Sequence, residues 1–142
     1  MANVIPYAFR GELLCGTHNF ASGGNTFKLA LYTANPYDTS STVYVTTNEV
    51  SSAGGTNYTA AGNTLSGNAV AYGTAVASCD FSDTSWTSAT ITAAFGTIYN
   101  SSASNKVAVV LDFSGDKTCT NGTFTISFPS PSTPADAIIS MA

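Results

Sequence analysis

Charge is scarce in this chain. Asp, Glu, Lys and Arg make up 8% of its 142 residues, and only four of them are basic, Arg10, Lys28, Lys106 and Lys117, scattered along the sequence. A surface that tracks phosphates needs clustered Lys and Arg, so nucleic-acid binding is excluded as an expectation. Histidine occurs once, at His18. An acid/base centre would have to recruit distant partners to it, and no nucleophile elbow, phosphate loop or dinucleotide fingerprint surrounds it. The reading is therefore a non-enzyme without catalytic, cofactor-binding or metal residues. A satisfied or exposed loop histidine is the ordinary role for His18. Long apolar runs are also missing. No window approaches the about 20 apolar residues of a membrane span, and no basic-then-apolar leader opens the sequence, so a soluble protein that is not exported by its own signal is expected. Cysteine is sparse and odd in number: Cys15, Cys79 and Cys119 include no C-x-x-C pair. Free, buried thiols and assembly in a reducing cytoplasm follow.

What the chain does have is hydroxyl. More than a quarter of it is Ser or Thr, while 44% is apolar. Disorder requires low hydrophobicity with high charge, so the composition is that of a folded domain. The length allows one core that buries roughly two thirds of the unfolded surface.

Only the start has helical spacing. Pro6 stands at a possible first helical position, Phe9 and Leu13 lie one turn apart, and Gly16 is a stop signal. Gly11 keeps such a helix short and dependent on packing. Residues 1–16 are thus expected as an arm or short helix lying on the domain or on a neighbour, and 17–142 as a single β-sandwich domain.

From Thr26 the period becomes two. Phe27, Leu29 and Leu31 share a face with Lys28 opposite, as in a half-buried strand. Val43–Val45 reads as a short strand, and Asn63–Tyr72 and Val76–Phe81 as two strands joined at Gly73-Thr74. Ser88–Tyr99 is the longest candidate, with Ala89, Ile91, Ala93 and Phe95 on one face and a bulge past Gly96. Lys106–Phe113 is apolar on both faces, which predicts a central strand. Asn121-Gly122 predicts a turn into Thr123–Phe128. Pro129, Pro131 and Pro134 form a connector to a last strand at Ala137–Met141. Many short strands without intervening helices predict an all-β, two-sheet antiparallel sandwich, jelly-roll or Greek-key like.

The acids in Asp80-Phe-Ser-Asp83 and Asp112-Phe-Ser-Gly-Asp116 fall in turns without a calcium-loop pattern, so they are expected to cap their own backbone. Trp86 and seven tyrosines are either packing residues or a sugar-binding surface, packing being the commoner use.

One resemblance is specific. Thr26-Phe-Lys-Leu-Ala-Leu-Tyr-Thr33, Thr47-Asn-Glu-Val50, Tyr58-Thr-Ala-Ala-Gly62, Phe81-Ser-Asp-Thr-Ser-Trp86 with Ala89-Thr-Ile-Thr92, and Val109-Val-Leu-Asp-Phe113 with Thr120-Asn-Gly-Thr-Phe-Thr125 occur in this order. Over most of its length, from about Phe9 onward, the chain resembles small virion structural proteins of tailed bacteriophages, the head decoration (cement) group. The resemblance implies a non-enzymatic protein at the capsid surface, assembled in the host cytoplasm. It would bind the major capsid protein, self-associate as a dimer or trimer, and need no cofactor, nucleic acid or membrane. The apolar N-terminal residues Val4, Ile5, Pro6, Tyr7 and Phe9 are the candidate contacts to a neighbouring subunit. The alternative for this arm is to fold back on its own sandwich. The rival function is a tail-associated adhesin that holds host glycans through Tyr, Trp, Asn and Asp.

Overall fold

A computed structural model describes residues 3–73, 75–129 and 137–141. Thr74 of the expected turn, and Pro131 and Pro134 of the expected connector, lie outside the described residues. Strand accounts for 46% of the chain and helix for 6%, in two antiparallel sheets with one short helix, so the fold is an all-β sandwich. The elements are α1 (Tyr7–Leu14), β1 (Phe27–Tyr32), β2 (Asn63–Thr64), β3 (Ala69–Tyr72), β4 (Ala77–Asp80), β5 (Thr84–Asn100), β6 (Lys106–Ile126) and β7 (Ile139–Met141). One sheet has the order β2-β1-β5-β6 and the other β3-β4-β7.

The apolar alternation in β1 builds the core between the sheets. Phe27, Leu29 and Leu31 join Phe9, Phe20, Phe81, Trp86, Ile91 and Phe124 in one cluster. Phe20 and Phe27 stack with ring centroids 4.3 Å apart. The opposite face of β1 is not solvated as the alternation predicts. Ala30 and Tyr32 are fully buried in a second cluster with Tyr37, Tyr99, Val107 and Val110. The loop after β1 folds over this face, bringing Tyr37, Tyr44 and Val45 onto it.

Four further expectations are corrected. Val43–Val45 is not a strand; Val43 makes a single bridge to Lys106. The segment 63–72 is divided between the sheets: Asn63 and Thr64 pair with β1, and Ala69–Tyr72 forms the expected hairpin with β4. Phe95 faces the second cluster, because the register shift falls between Ala93 and Phe95, ahead of Gly96. The two strands expected around Asn121-Gly122 are one 21-residue strand, β6. Its turn signals are absorbed as bulges. Residues 113–116 loop out between the pairs Ala93↔Lys117 and Phe95↔Asp112, with Ser114 at φ 57° and Gly115 at φ 107°. Asn121, at φ 47°, takes up a second irregularity. A left-handed residue lets an extra position leave the ladder without reversing the chain.

Nor is β6 central, despite its two apolar faces; it ends the sheet order. Its first half is buried because the chain covers its outer edge. Val4 exchanges both backbone hydrogen bonds with Val110 (2.9 and 2.8 Å), and the Val107 N–H donates to the Thr42 carbonyl (3.0 Å).

Candidate functional site

The N-terminal segment is where a contact surface was expected, and α1 forms as predicted, with Pro6 immediately before it and Gly16 at φ 71° just beyond. The expected contact residues are placed as follows. Val4 is tied to the β6 edge, Ile5 packs against the main core, Pro6 is buried, and Phe9 is 1% exposed. Only Tyr7, 63% exposed, presents most of its side chain, with the Arg10 guanidinium 5.5 Å above its ring. The arm lies on its own domain.

Packing Phe9 and Leu13 inward turns Leu14, one residue further around the helix, outward. Leu14 is 92% exposed. Met141, at the end of β7, is 57% exposed. Between them runs a groove of about 450 Å³, walled by Ile5, Leu13 and Leu14 on one side and Ile139 and Met141 on the other, with Phe9 at its base. It adjoins a smaller, wholly apolar recess between Leu13, Phe20, Val70 and Cys79. The Phe9–Leu13 spacing contained the signal for Leu14. Nothing local announced that β7 would stand opposite.

A polar clamp fixes α1 beside this groove. Glu12 accepts from His18 Nε2 at 2.8 Å through one carboxylate oxygen and from Lys106 Nζ through the other. The other His18 nitrogen, Nδ1, accepts from the Asn100 side-chain amide at 3.1 Å. That amide is oriented by the Ser102 N–H on its oxygen (3.0 Å) and by Asn25 Oδ1 on its nitrogen (3.0 Å). Both ring nitrogens are thus occupied, and His18 is a buried structural histidine. Burial works against ionisation of Glu12, but Lys106 and His18 outweigh it and hold the carboxyl below its usual range. Stability from this group is present above its unfolded pKa and is lost as pH falls through the lower folded value. Glu12→Gln is expected to cost about 2 kcal/mol at pH 7. Chemical denaturation at a series of pH values should show that difference shrinking below about pH 4; a constant difference would mean that the carboxylate charge is not what holds α1.

A second polar cluster lies under the 33–62 loop. Glu49 accepts from the Tyr44 hydroxyl on one oxygen, and from the Tyr58 hydroxyl and the Ala61 N–H on the other, both at 2.7 Å. Tyr58 in turn accepts the Leu31 N–H at 3.0 Å. The Tyr44 ring stacks on Tyr99 at 4.7 Å, and the Tyr99 hydroxyl donates to the Ala61 carbonyl at 2.7 Å. Burial and then the Glu49 charge raise the phenol of Tyr99 to about 12, and burial with the same carboxylate also raises Tyr44 and Tyr58. These hydroxyls remain protonated donors that hold a loop on β1.

The remaining candidates are structural. Trp86 is 4% exposed, between Tyr58 and Phe124. Asp112 Oδ1 accepts the Ser114 N–H and Asp80 Oδ1 the Phe81 N–H, but both acids lie in strands instead of the expected turns, and Asp83 Oδ1 accepts the distant Phe128 N–H at 2.8 Å instead of capping its own backbone. Among the described residues, no three His, Cys, Asp or Glu side chains gather as a metal set. Cys79 is buried and its thiol is raised to about 12 by that burial, but Cys15 is exposed, contrary to the expectation of three buried thiols. On the outer face of the β5–β6 hairpin, Ser85, Thr87, Thr90 and Thr92 run beside Thr125, Thr123, Thr120 and Thr118, all exposed and uncharged. No described helix is long and apolar enough to cross a membrane. Comparison with protein-family models, with curated proteins and with solved structures finds no match to this chain.

Proposed function

We propose that this chain is a non-enzymatic structural protein of a phage particle, which decorates the capsid shell by binding the major capsid protein. The observation that carries the reading is the apolar groove between α1 and β7, open to solvent on a protein with little charge anywhere. The phage-protein resemblance of its sequence points the same way. Contacts made by apolar surface and neutral hydrogen bonds are not screened by salt, which suits a lattice protein. A protein that binds the mature lattice and not its precursor stabilises the mature form by mass action, and many copies multiply a small gain. Self-association as a dimer or trimer would follow the local symmetry of the shell. Glycan binding by a tail adhesin loses its best platform, since Trp86 is buried.

The test is the copy number per purified particle, relative to the major capsid protein, by quantitative mass spectrometry. A ratio of one, or a simple fraction of it, is expected. A handful of copies per particle would overturn the decoration reading.

A further inference from the structure

We infer that Asp80 is a proton-binding site at the joint between the two sheets, and that this joint tightens when a proton enters and loosens when it leaves. Asp80 is the last residue of β4, and residues 81–83 carry the chain from the sheet β3-β4-β7 to β5 of the other sheet. At 1% exposure it is the only acid among the described residues in the buried class. Its Oδ1 accepts the Phe81 N–H at 2.9 Å, whereas its Oδ2 has no hydrogen-bond partner and is shut off from solvent. A charge on that oxygen is desolvated without compensation, and a proton placed there removes it.

No base offsets the charge. The ion pairs of the described residues join Glu12 to His18 and Lys106. Arg10 stands over the Tyr7 ring, Lys28 is across from Thr64 and Tyr99, and Lys117 is across from Ala93. The strands that flank β4 contain no acid, base or histidine, and their one titratable side chain, Tyr72, is 85% exposed at the other end of the hairpin, across from Ala77. The 65–68 segment, whose Ser66 carbonyl accepts the Ser82 N–H at 2.9 Å, is also uncharged. What remains is on β4 itself and in the joint. Cys79 is a thiol that burial raises to about 12 and so keeps neutral, and Asp83 is a second acid, its Oδ1 taken by the Phe128 N–H.

Burial raises the Asp80 carboxyl above its ordinary range; the Phe81 N–H opposes this, and the Asp83 charge adds to it. The closed joint therefore holds a proton more tightly than an opened one. Its stability rises as pH falls through the folded value and is complete below the ordinary carboxylate pKa of about 4. Opening the joint would give Asp80 to water and part the Phe81 ring from Phe20, Phe27 and Phe128. Glu12 responds with the opposite sign, because its carboxyl is held below the ordinary range. Acid thus tightens the joint at pH values where the α1 clamp is still intact.

The experiment is hydrogen exchange of the full chain between about pH 4.5 and about pH 7.5, corrected for the intrinsic pH dependence of exchange. Protection of the Ala77–Asp80 amides is expected to rise at least about threefold toward the acid end, with the Phe27–Tyr32 amides unchanged. Asp80→Asn keeps the acceptor for Phe81 and removes the charge, so its β4 protection is expected to be independent of pH whatever its absolute level. Carbon NMR of the wild-type Asp80 carboxyl gives a second readout that needs no variant, and its midpoint is expected above about 4. A midpoint at or below that value, or the same pH dependence in wild type and Asp80→Asn, overturns the inference. The decoration reading is independent of either result, since copy number on the particle tests it separately.

Discussion

Gly62→Ala is expected to abolish the native fold, or to leave it destabilised by more than about 4 kcal/mol. Gly62 sits at φ 72°, and a Cβ there would lie 1.8 Å from the Leu29 carbonyl oxygen, 2.5 Å from its carbon and 2.7 Å from the Ala30 Cα. All three are main-chain atoms of β1, a strand whose Leu29 and Ala30 are 0% exposed. No side-chain rotation relieves that overlap. Either the 59–64 turn leaves β1, breaking the Leu29↔Asn63 pairing, or β1 leaves the core. Gly54→Ala is the control. Gly54 has the same φ of 72° but nothing within 4 Å of its Cβ position. That variant should show only the left-handed backbone penalty, about 1–2 kcal/mol. Circular dichroism and urea denaturation of both variants check this; equal stabilities would mean that the turn does not approach β1 as described.

Glu49→Ala should be the most damaging change to a polar side chain, costing roughly 3–5 kcal/mol, because it leaves three donors without their acceptor. Those donors are the Tyr44 and Tyr58 hydroxyls and the Ala61 N–H, and Tyr58 is only 3% exposed. Water cannot replace the carboxylate at Tyr58 unless the loop opens. Glu49→Gln keeps one acceptor oxygen for Tyr58 and Ala61 but turns an amide toward Tyr44, so about half of the loss should return. Urea denaturation gives the free energies. Hydrogen exchange should show the 33–62 loop of the alanine variant opening well before the β5–β6 hairpin. A loss below about 1 kcal/mol would mean that the loop is held by its apolar contacts alone.

Periodicity was enough where an element sees one environment. The Phe9–Leu13 spacing after Pro6 specifies α1, and the alternations at Phe27–Leu31 and Ala89–Ala93 specify β1 and much of β5, because burial against one core repeats with the local period of the backbone. The same logic failed at Phe95. A register shift at Ala93/Phe95 turns it to the second cluster. A bulge is set by what the partner strand does, which no window of one strand contains.

The candidate site was legible only in part. The N-terminal segment is near the groove, but the residues that leave it apolar and open are Leu14 and Met141, 127 positions apart. Glu49 looked like one acid among eight. It became a loop anchor only when Tyr44, Tyr58 and Ala61 converged on it.

By itself the sequence determined the all-β class, the short helix and the low-charge, hydroxyl-rich surface, since composition and local period suffice for these. Tertiary structure alone decided that Asn121-Gly122 is a bulge within one long strand, that β6 is an edge sealed by Val4, and that α1 and β7 frame a groove. Each of these depends on which distant backbone groups pair. A turn signal or an apolar face states only a local preference, and the sheet that forms around it decides how that preference is used.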